Sequence, residues 1–273
     1  DIKQKKWKCT GMSEPTLLII TEIGIDEAQT ILLSIVSKVN EEHIKLGEYE
    51  KEEEERVQKA AEYIEAAPLY LCHLPDFSIE DVKNVIKKYK REFGVNYIFF
   101  DYIFSTLRLM SEVNKNLKVS LKEYQLLLLF SSELKSLCQA LDVCIFTASQ
   151  VNGEINSATV KDQNVLAGSK ALANKIDCGL VLSEPSNSEL RKIDPIINNM
   201  IGFKVPNMCQ HIYKLRAGRL SRVIIWSYCD RGNMQWEDLF ATTYNYELID
   251  IDLTIMQDSE EVEEEIKKNS ISM

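Results

Sequence analysis

The sequence predicts an α/β fold in which a mainly parallel sheet is flanked by helices and followed by a C-terminal β-hairpin. Three observations carry this expectation. Two apolar runs, Tyr97-Ile98-Phe99-Phe100 and Val143-Cys144-Ile145-Phe146, end abruptly on polar residues, Asp101 in the first and Thr147 to Gln150 in the second. Strands covered on both faces of a parallel sheet read as such near-continuous hydrophobic runs. Strand-like runs also alternate with helical patterns as far as Gln150, which calls for crossover connections and hence parallel strands. Finally, His211 to Arg216 and Arg222 to Ser227 flank Ala217-Gly218-Arg219, the pattern of a hairpin.

In chain order, Thr16 to Thr21 is a β-branched and aliphatic run ended by Glu22. Gly24 and Asp26 follow, which can cap a helix running through Leu32. After Gly47 a strongly charged segment extends to Glu65, with Val57, Ala60, Ala61 and Ile64 at helical spacing. Its glutamates read as a solvated helix face. Pro68 to Cys72 reads as a strand. Ser78-Ile79-Glu80-Asp81-Val82 has capping-box character and opens a helix to about Phe93, closed by Gly94. Leu121 to Leu141 is a leucine-rich helix leading into the Val143 run. From Asn152 to Lys175 the chain is polar and poor in strand formers, and Cys178 to Leu182 resumes the sheet. With no internal repeat and no Pro- or Gly-rich linker, one domain is the simplest organisation.

Of the 273 residues 45% are hydrophobic, which suffices for a packed core rather than disorder. No apolar run approaches the length of a membrane-spanning helix, and a soluble intracellular protein is expected. Seven cysteines, an odd number with no CxxC pair, read as reduced and structural, with no zinc site. The net charge of −10 argues at first against a nucleic-acid partner. The acid, however, is concentrated between Glu48 and Glu55 and in the tail from Asp258, whereas Lys161, Lys170, Lys175, Lys214, Arg216, Arg219 and Arg222 lie in the second half. Charge alone therefore excludes neither class of partner. In open α/β sheets ligands sit at the carboxyl ends of the strands, which here carry Asp101 and Gln150.

The order of elements, together with Pro68-Leu69-Tyr70, Phe100-Asp101-Tyr102, Ala148-Ser149-Gln150-Val151-Asn152, Leu166-Ala167-Gly168-Ser169-Lys170, Ile176-Asp177 and Tyr213 to Arg219, resembles the RecA-like motor domain of DnaB-type replicative helicases, phage versions above all. The resemblance covers about Leu17 to Leu248. It implies ATP and Mg2+ as cofactors, a ring-shaped assembly, expected to be a hexamer, single-stranded DNA as partner, and a primase or helicase loader as further partners. It implies no membrane association and a place in the cytoplasm of a bacterial or phage-infected cell. Residues 1–257 would form the motor domain, incomplete on its N-terminal side, and residues 258–273 an acidic C-terminal tail.

Asp101 matches the family's Walker B aspartate, which holds magnesium, and a carboxylate suits that hard cation. Glu22 falls where the family carries the glutamate that polarises the attacking water; without the resemblance it reads as an acid favoured at a helix start. Gln150 matches the γ-phosphate-sensing glutamine, or else is a solvated strand-end amide. Lys214 and Arg216 occupy alternate positions of one strand, as do the family's lysine and arginine finger that reach a neighbouring subunit's nucleotide; alone, they read as exposed charges near a hairpin tip. Ala167, Gly168 and Lys170 match the loop that follows a DNA backbone without reading bases.

One element of the family pattern is missing. The phosphate-cradling G-x-x-x-x-G-K-[ST] loop requires glycine followed by lysine, and none of the ten glycines is so followed. Three readings meet this: a helicase whose N-terminal part lies outside the sequence, a fragment or split gene, or a degenerate homologue serving as a non-catalytic adaptor or inactive subunit. Retention of Glu22, Asp101, Gln150, Lys214 and Arg216 favours the first. The chain by itself is expected not to hydrolyse ATP. A RecA-type recombination or clock-like ATPase shares the fold but fits Tyr213 to Arg219 less well.

Overall fold

A computed structural model describes residues 14–117, 121–151, 153, 160–165, 172–199, 204–216 and 222–249. The elements are β1 (Thr16–Ile20), α1 (Ile25–Ser37), α2 (Glu41–Leu46), α3 (Glu53–Ala66), β2 (Leu69–His73), α4 (Ile79–Phe93), β3 (Tyr97–Asp101), α5 (Leu107–Leu117), α6 (Glu123–Leu141), β4 (Cys144–Thr147), β5 (Cys178–Ser183), α7 (Asn187–Asn199), β6 (Met208–Leu215), β7 (Val223–Asp230), β8 (Gln235–Thr243) and β9 (Leu248–Ile249). Short 3₁₀ turns at Gln163–Val165 and Leu172–Asn174 lie between β4 and β5.

The first four strands form a parallel sheet in the order β2-β1-β3-β4. Alternate residues of β1 and β3, namely Leu17, Ile19, Ile98 and Phe100, are buried beneath α4 and α6, where Val82, Ile86, Leu126, Phe130 and Leu134 complete the core. Phe77 anchors it, with its ring edge-on to Phe100 at 5.3 Å. The parallel sheet and its helices are as the sequence predicts. So is the capping box: Ser78 N donates to Asp81 Oδ2 at 2.9 Å, Asp81 N donates to Ser78 Oγ at 3.1 Å, and Gly94 ends α4 at φ +70°.

Elsewhere the structure differs from the expectation. Of Gly24 and Asp26, Gly24 is the cap of α1 and Asp26 lies in its first turn. The charged segment after Gly47 forms the helix α3, preceded by the unexpected short helix α2, but Glu53 is buried rather than solvated and accepts from His43 Nδ1 at 2.8 Å and from Glu50 N at 2.9 Å. Helix α5 was not expected. It is capped by Thr106, whose hydroxyl accepts from Leu109 N at 2.9 Å and donates to Phe77 O at 2.6 Å. Strand β4 ends at Thr147 rather than Gln150, because the Ala148 carbonyl turns to accept from Ile103 N.

Strand β5 does not resume the first sheet. It opens a second, antiparallel sheet ordered β5-β6-β7-β8-β9. Gly179 permits this pairing: a Cβ there would lie 2.5 Å from the Tyr213 ring, so only glycine lets β5 lie against that side chain. The expected hairpin is β6–β7, with Ile212 paired to Val223. Helix α7 packs on this sheet through Ile193, against Cys209, Ile224, Trp226 and Phe240. Glu41 N donates to Gly232 O at 2.9 Å and Gln235 Nε2 to Ile35 O at 2.8 Å, which tie the second sheet to the α1–α2 region. Among the described residues no helix is long and apolar enough to cross a membrane.

Candidate functional site

The carboxyl ends of β1, β3 and β4 lie side by side because the register pairs Ile20 with Asp101 and Phe100 with Thr147. Side chains lock these ends. Thr21 donates to the Asp101 carbonyl through both its hydroxyl, at 2.6 Å, and its amide, at 3.1 Å, and Thr147 Oγ1 donates to Phe100 O at 2.8 Å. The three strand ends therefore deliver Glu22, Asp101 with Tyr102, and Gln150 to one edge of the sheet.

There the side chains form a connected group. Tyr102 donates its hydroxyl proton to Glu22 Oε1 at 2.9 Å and accepts from Gln150 Nε2 at 2.7 Å. Because an ionised carboxylate can only accept, the phenol must give its one proton to Glu22, and this fixes Gln150 as the donor to Tyr102. Burial, and then the charge and hydrogen bond of Glu22, hold the Tyr102 hydroxyl above the usual tyrosine range, so it stays protonated and able to donate. Asp101 lies in the same field. Burial first and the negative charge of Glu22 second push its carboxyl above the usual range. Two neighbouring carboxylates that repel in this way suit a bound divalent cation.

Among the described residues there is no group of three or more His, Cys, Asp or Glu side chains placed to hold a metal ion. Glu22, Asp101 and Gln150 are thus brought together, and Tyr102, which was not among the expected site residues, joins them. Its position directly after Asp101 was the available signal.

Lys214 and Arg216 make their contacts elsewhere. Lys214 Nζ donates to Ala173 O; Arg216 pairs with Asp177 Oδ1 at 3.0 Å and reaches Asn174 O at 3.4 Å. Both therefore hold the Leu172–Asp177 segment, which leads into β5, and Asp177 is paired as well with Lys135 of α6. Burial and the adjacent Arg216 lower the affinity of the Lys214 amine for its proton, while Lys135 and Arg216 hold Asp177 below the usual carboxylate range. Ala167, Gly168 and Lys170 lie outside the described residues, as does the tail 258–273.

A family model described as "DnaB-like helicase C terminal domain" matches residues 5–226. The chain is 35% identical over 256 residues to the SPbeta prophage-derived uncharacterized protein YorI of Bacillus subtilis (strain 168), covering 92% of this chain and 51% of that protein. It is 26% identical over 138 residues to the replicative DNA helicase DnaB of Leifsonia xyli subsp. xyli (strain CTCB07), covering 50% of this chain and 28% of that one. The chain thus spans about half or less of the length of these relatives. Among solved structures, an ATPase domain superposes with a TM-score of 0.65 at 15% identity, over 83% of this chain and 75% of that one. A DnaB-like replicative helicase, solved to examine its interactions with primase, superposes with a TM-score of 0.63 at 16% identity, over 83% and 51%. At such identities the superpositions establish the fold, that of a RecA-like helicase domain. By fold and by sequence, the chain belongs to the DnaB-like helicase C-terminal domain family.

Proposed function

We propose that the chain is the motor part of an ATP-dependent replicative DNA helicase that moves along single-stranded DNA and unwinds duplex as a ring, expected to be a hexamer. The observation that carries this reading is the grouping of Glu22, Asp101 and Gln150 at the ends of three adjacent parallel strands, joined through Tyr102. Mg2+ bound with ATP would neutralise phosphate charge, with Asp101 holding it directly or through water. Glu22 would orient and deprotonate the attacking water, and Gln150 would hold the γ-phosphate. Lys214 and Arg216 would serve a neighbouring subunit's nucleotide, and Ala167, Gly168 and Lys170 would follow the DNA backbone. Residues 1–257 would constitute the motor domain and 258–273 an acidic tail outside the channel, where its charge keeps it from DNA. A primase or a helicase loader is the expected further partner, and the bacterial or phage-infected cytoplasm the expected compartment.

A second reading, a non-catalytic RecA-fold adaptor or inactive ring subunit, is favoured by one observation: no glycine of the sequence is followed by lysine. Measuring hydrolysis by the full-length protein separates the two. The motor reading expects turnover that requires Mg2+ and rises with single-stranded DNA. A correctly folded, DNA-insensitive protein that hydrolyses no ATP overturns it in favour of the adaptor.

A further inference from the structure

Glu22 and Gln150 stand on strands separated by a third. Strands β1 and β4 both pair with β3 and not with each other. At about 4.8 Å per strand step the two outer strands are roughly 10 Å apart, with the end of β3 between them. The residue that spans the gap is Tyr102, which leaves β3 at its carboxyl end and whose ring leans on Phe104 at 5.3 Å between centroids. Its single hydroxyl is used fully, as donor at 2.9 Å to Glu22 and as acceptor at 2.7 Å from Gln150.

The polarity of the chain is fixed. Hydrogens run from Gln150 to Tyr102 to Glu22, and the amide nitrogen of Gln150 retains a second N–H. That N–H is free to donate to a phosphate oxygen without breaking the bond to Tyr102. A glutamine held by a phosphate then holds the phenol, and the phenol holds the carboxylate. We propose that Tyr102 is a positioning residue for phosphoryl transfer, coupling occupancy of the γ-phosphate site at Gln150 to the orientation of Glu22. This rests on the motor reading given above. With its hydroxyl bonded to Glu22 and Gln150, Tyr102 would act through Glu22 and not on the reacting atoms themselves.

The test uses the full-length protein, ATP with Mg2+, and oligo(dT) as the single strand. Tyr102→Phe keeps the ring against Phe104 and removes only the hydroxyl. The expected result is a kcat lowered by about tenfold with KM for ATP within about twofold and Tm within about 2 °C. Gln150→Leu should also lower kcat, and the double variant should be no slower than the slower single variant, because both substitutions cut one chain. Stimulation of kcat by oligo(dT) should fall in Tyr102→Phe. Active wild-type protein with Tyr102→Phe within twofold of it in kcat overturns this inference and leaves the motor reading standing. Penalties that multiply in the double variant overturn it as well, whereas a wild-type protein that hydrolyses no ATP overturns both together. If Tyr102→Phe loses its fold, Gln150→Glu reads the same link: its acceptor-only side chain cannot donate to the phenol, and a kcat within twofold of wild type overturns the inference.

Discussion

The guanidinium of Arg216 lies 3.0 Å from the carboxylate of Asp177 of its own chain, with both side chains more than half exposed. An ion pair so open to water contributes no more than about 1 kcal/mol and is readily exchanged for another anion. A neighbouring subunit's phosphate is such an anion, and leaving Asp177 for it would also loosen the segment that follows the expected DNA loop. Arg216→Ala should therefore reduce ATP hydrolysis by about 10³-fold or more, the usual weight of such a finger, while leaving binding of a fluorescent nucleotide unchanged. Mixed with Asp101→Ala subunits it should regain partial activity at mixed interfaces. Absence of any regained activity would count against a finger acting in trans.

Asp101 stands in a field that opposes its ionisation, so the metal-holding role proposed for it and its contribution to stability conflict. Its folded-state pKa is raised, by burial first and by Glu22 second. Ionised, it therefore destabilises the fold: the penalty is present at neutral pH and disappears as pH falls through the raised value to the ordinary carboxylate value near ~3.9. Asp101→Asn should abolish Mg2+-dependent hydrolysis and at the same time raise the urea midpoint slightly at pH 7.5, by less than about 0.5 kcal/mol after solvent screening. The gain should shrink as the pH is lowered. A variant less stable than wild type at pH 7.5 would show that Asp101 is held by contacts stronger than this repulsion.

What the sequence disclosed, and what it did not, follows from the range over which each signal acts. The ends of β1 and β3 were legible because an apolar run stopping on a polar residue is a local pattern, and so was the capping box at Ser78 and Asp81, whereas the end of β4 at Thr147 is set by the distant contact of Ala148 with Ile103. Membership of β5 in a second sheet was not, since Cys178-Gly179-Leu180-Val181-Leu182 reads the same in either sheet and the deciding contact, Gly179 against Tyr213, spans a long stretch of chain. Tyr102 stood in the sequence only as the neighbour of Asp101; its contacts with Glu22 and Gln150 depend on the register that brings the ends of β1, β3 and β4 side by side. Glu53 looked like one more solvated glutamate until α2 brought His43 to it.

The least legible feature is the buried ion pair of Lys161 with Glu189, which are 5% and 7% exposed. Lys161 belongs to a polar stretch that reads as loop, and Glu189 to the first turn of α7. Nζ lies 2.8 Å from one carboxylate oxygen and 3.1 Å from the other, and Ser186 also donates to Glu189 through its amide at 2.8 Å and its hydroxyl at 2.7 Å. The pair thus pins the chain ahead of the expected DNA loop to the second sheet. Removing one partner leaves a buried, uncompensated charge, so Glu189→Ala should cost about 3–5 kcal/mol in urea unfolding. Replacing both, with Lys161→Met and Glu189→Leu, should recover most of that loss. A double variant as unstable as Glu189→Ala would mean that the serine bonds, rather than the ion pair, set the cost.

The same cluster should make the fold acid-sensitive through His211, which is 3% exposed. Its Nε2 lies 3.3 Å from Cys209 Sγ and 3.7 Å from Glu189 Oε1, and its ring stands edge-on to Tyr244 at 5.9 Å. Burial first and the Lys161 charge second push its pKa down to about 4 from the ordinary 6.5, against the opposing pull of Glu189. The folded state therefore keeps the ring neutral where the unfolded chain already binds a proton, and stability is lost as pH falls from the unfolded value toward the folded one. Glu189, held below the usual carboxylate range, stays charged over most of that interval and adds little slope of its own. Between pH 7.5 and pH 5 the contribution of His211 should fall by about 2 kcal/mol. His211→Gln cannot take up that proton, so its stability difference between the two pH values should be smaller than that of wild type by the same amount. An unchanged difference would place the acid sensitivity in other groups and would mean that His211 titrates near its ordinary value despite its burial.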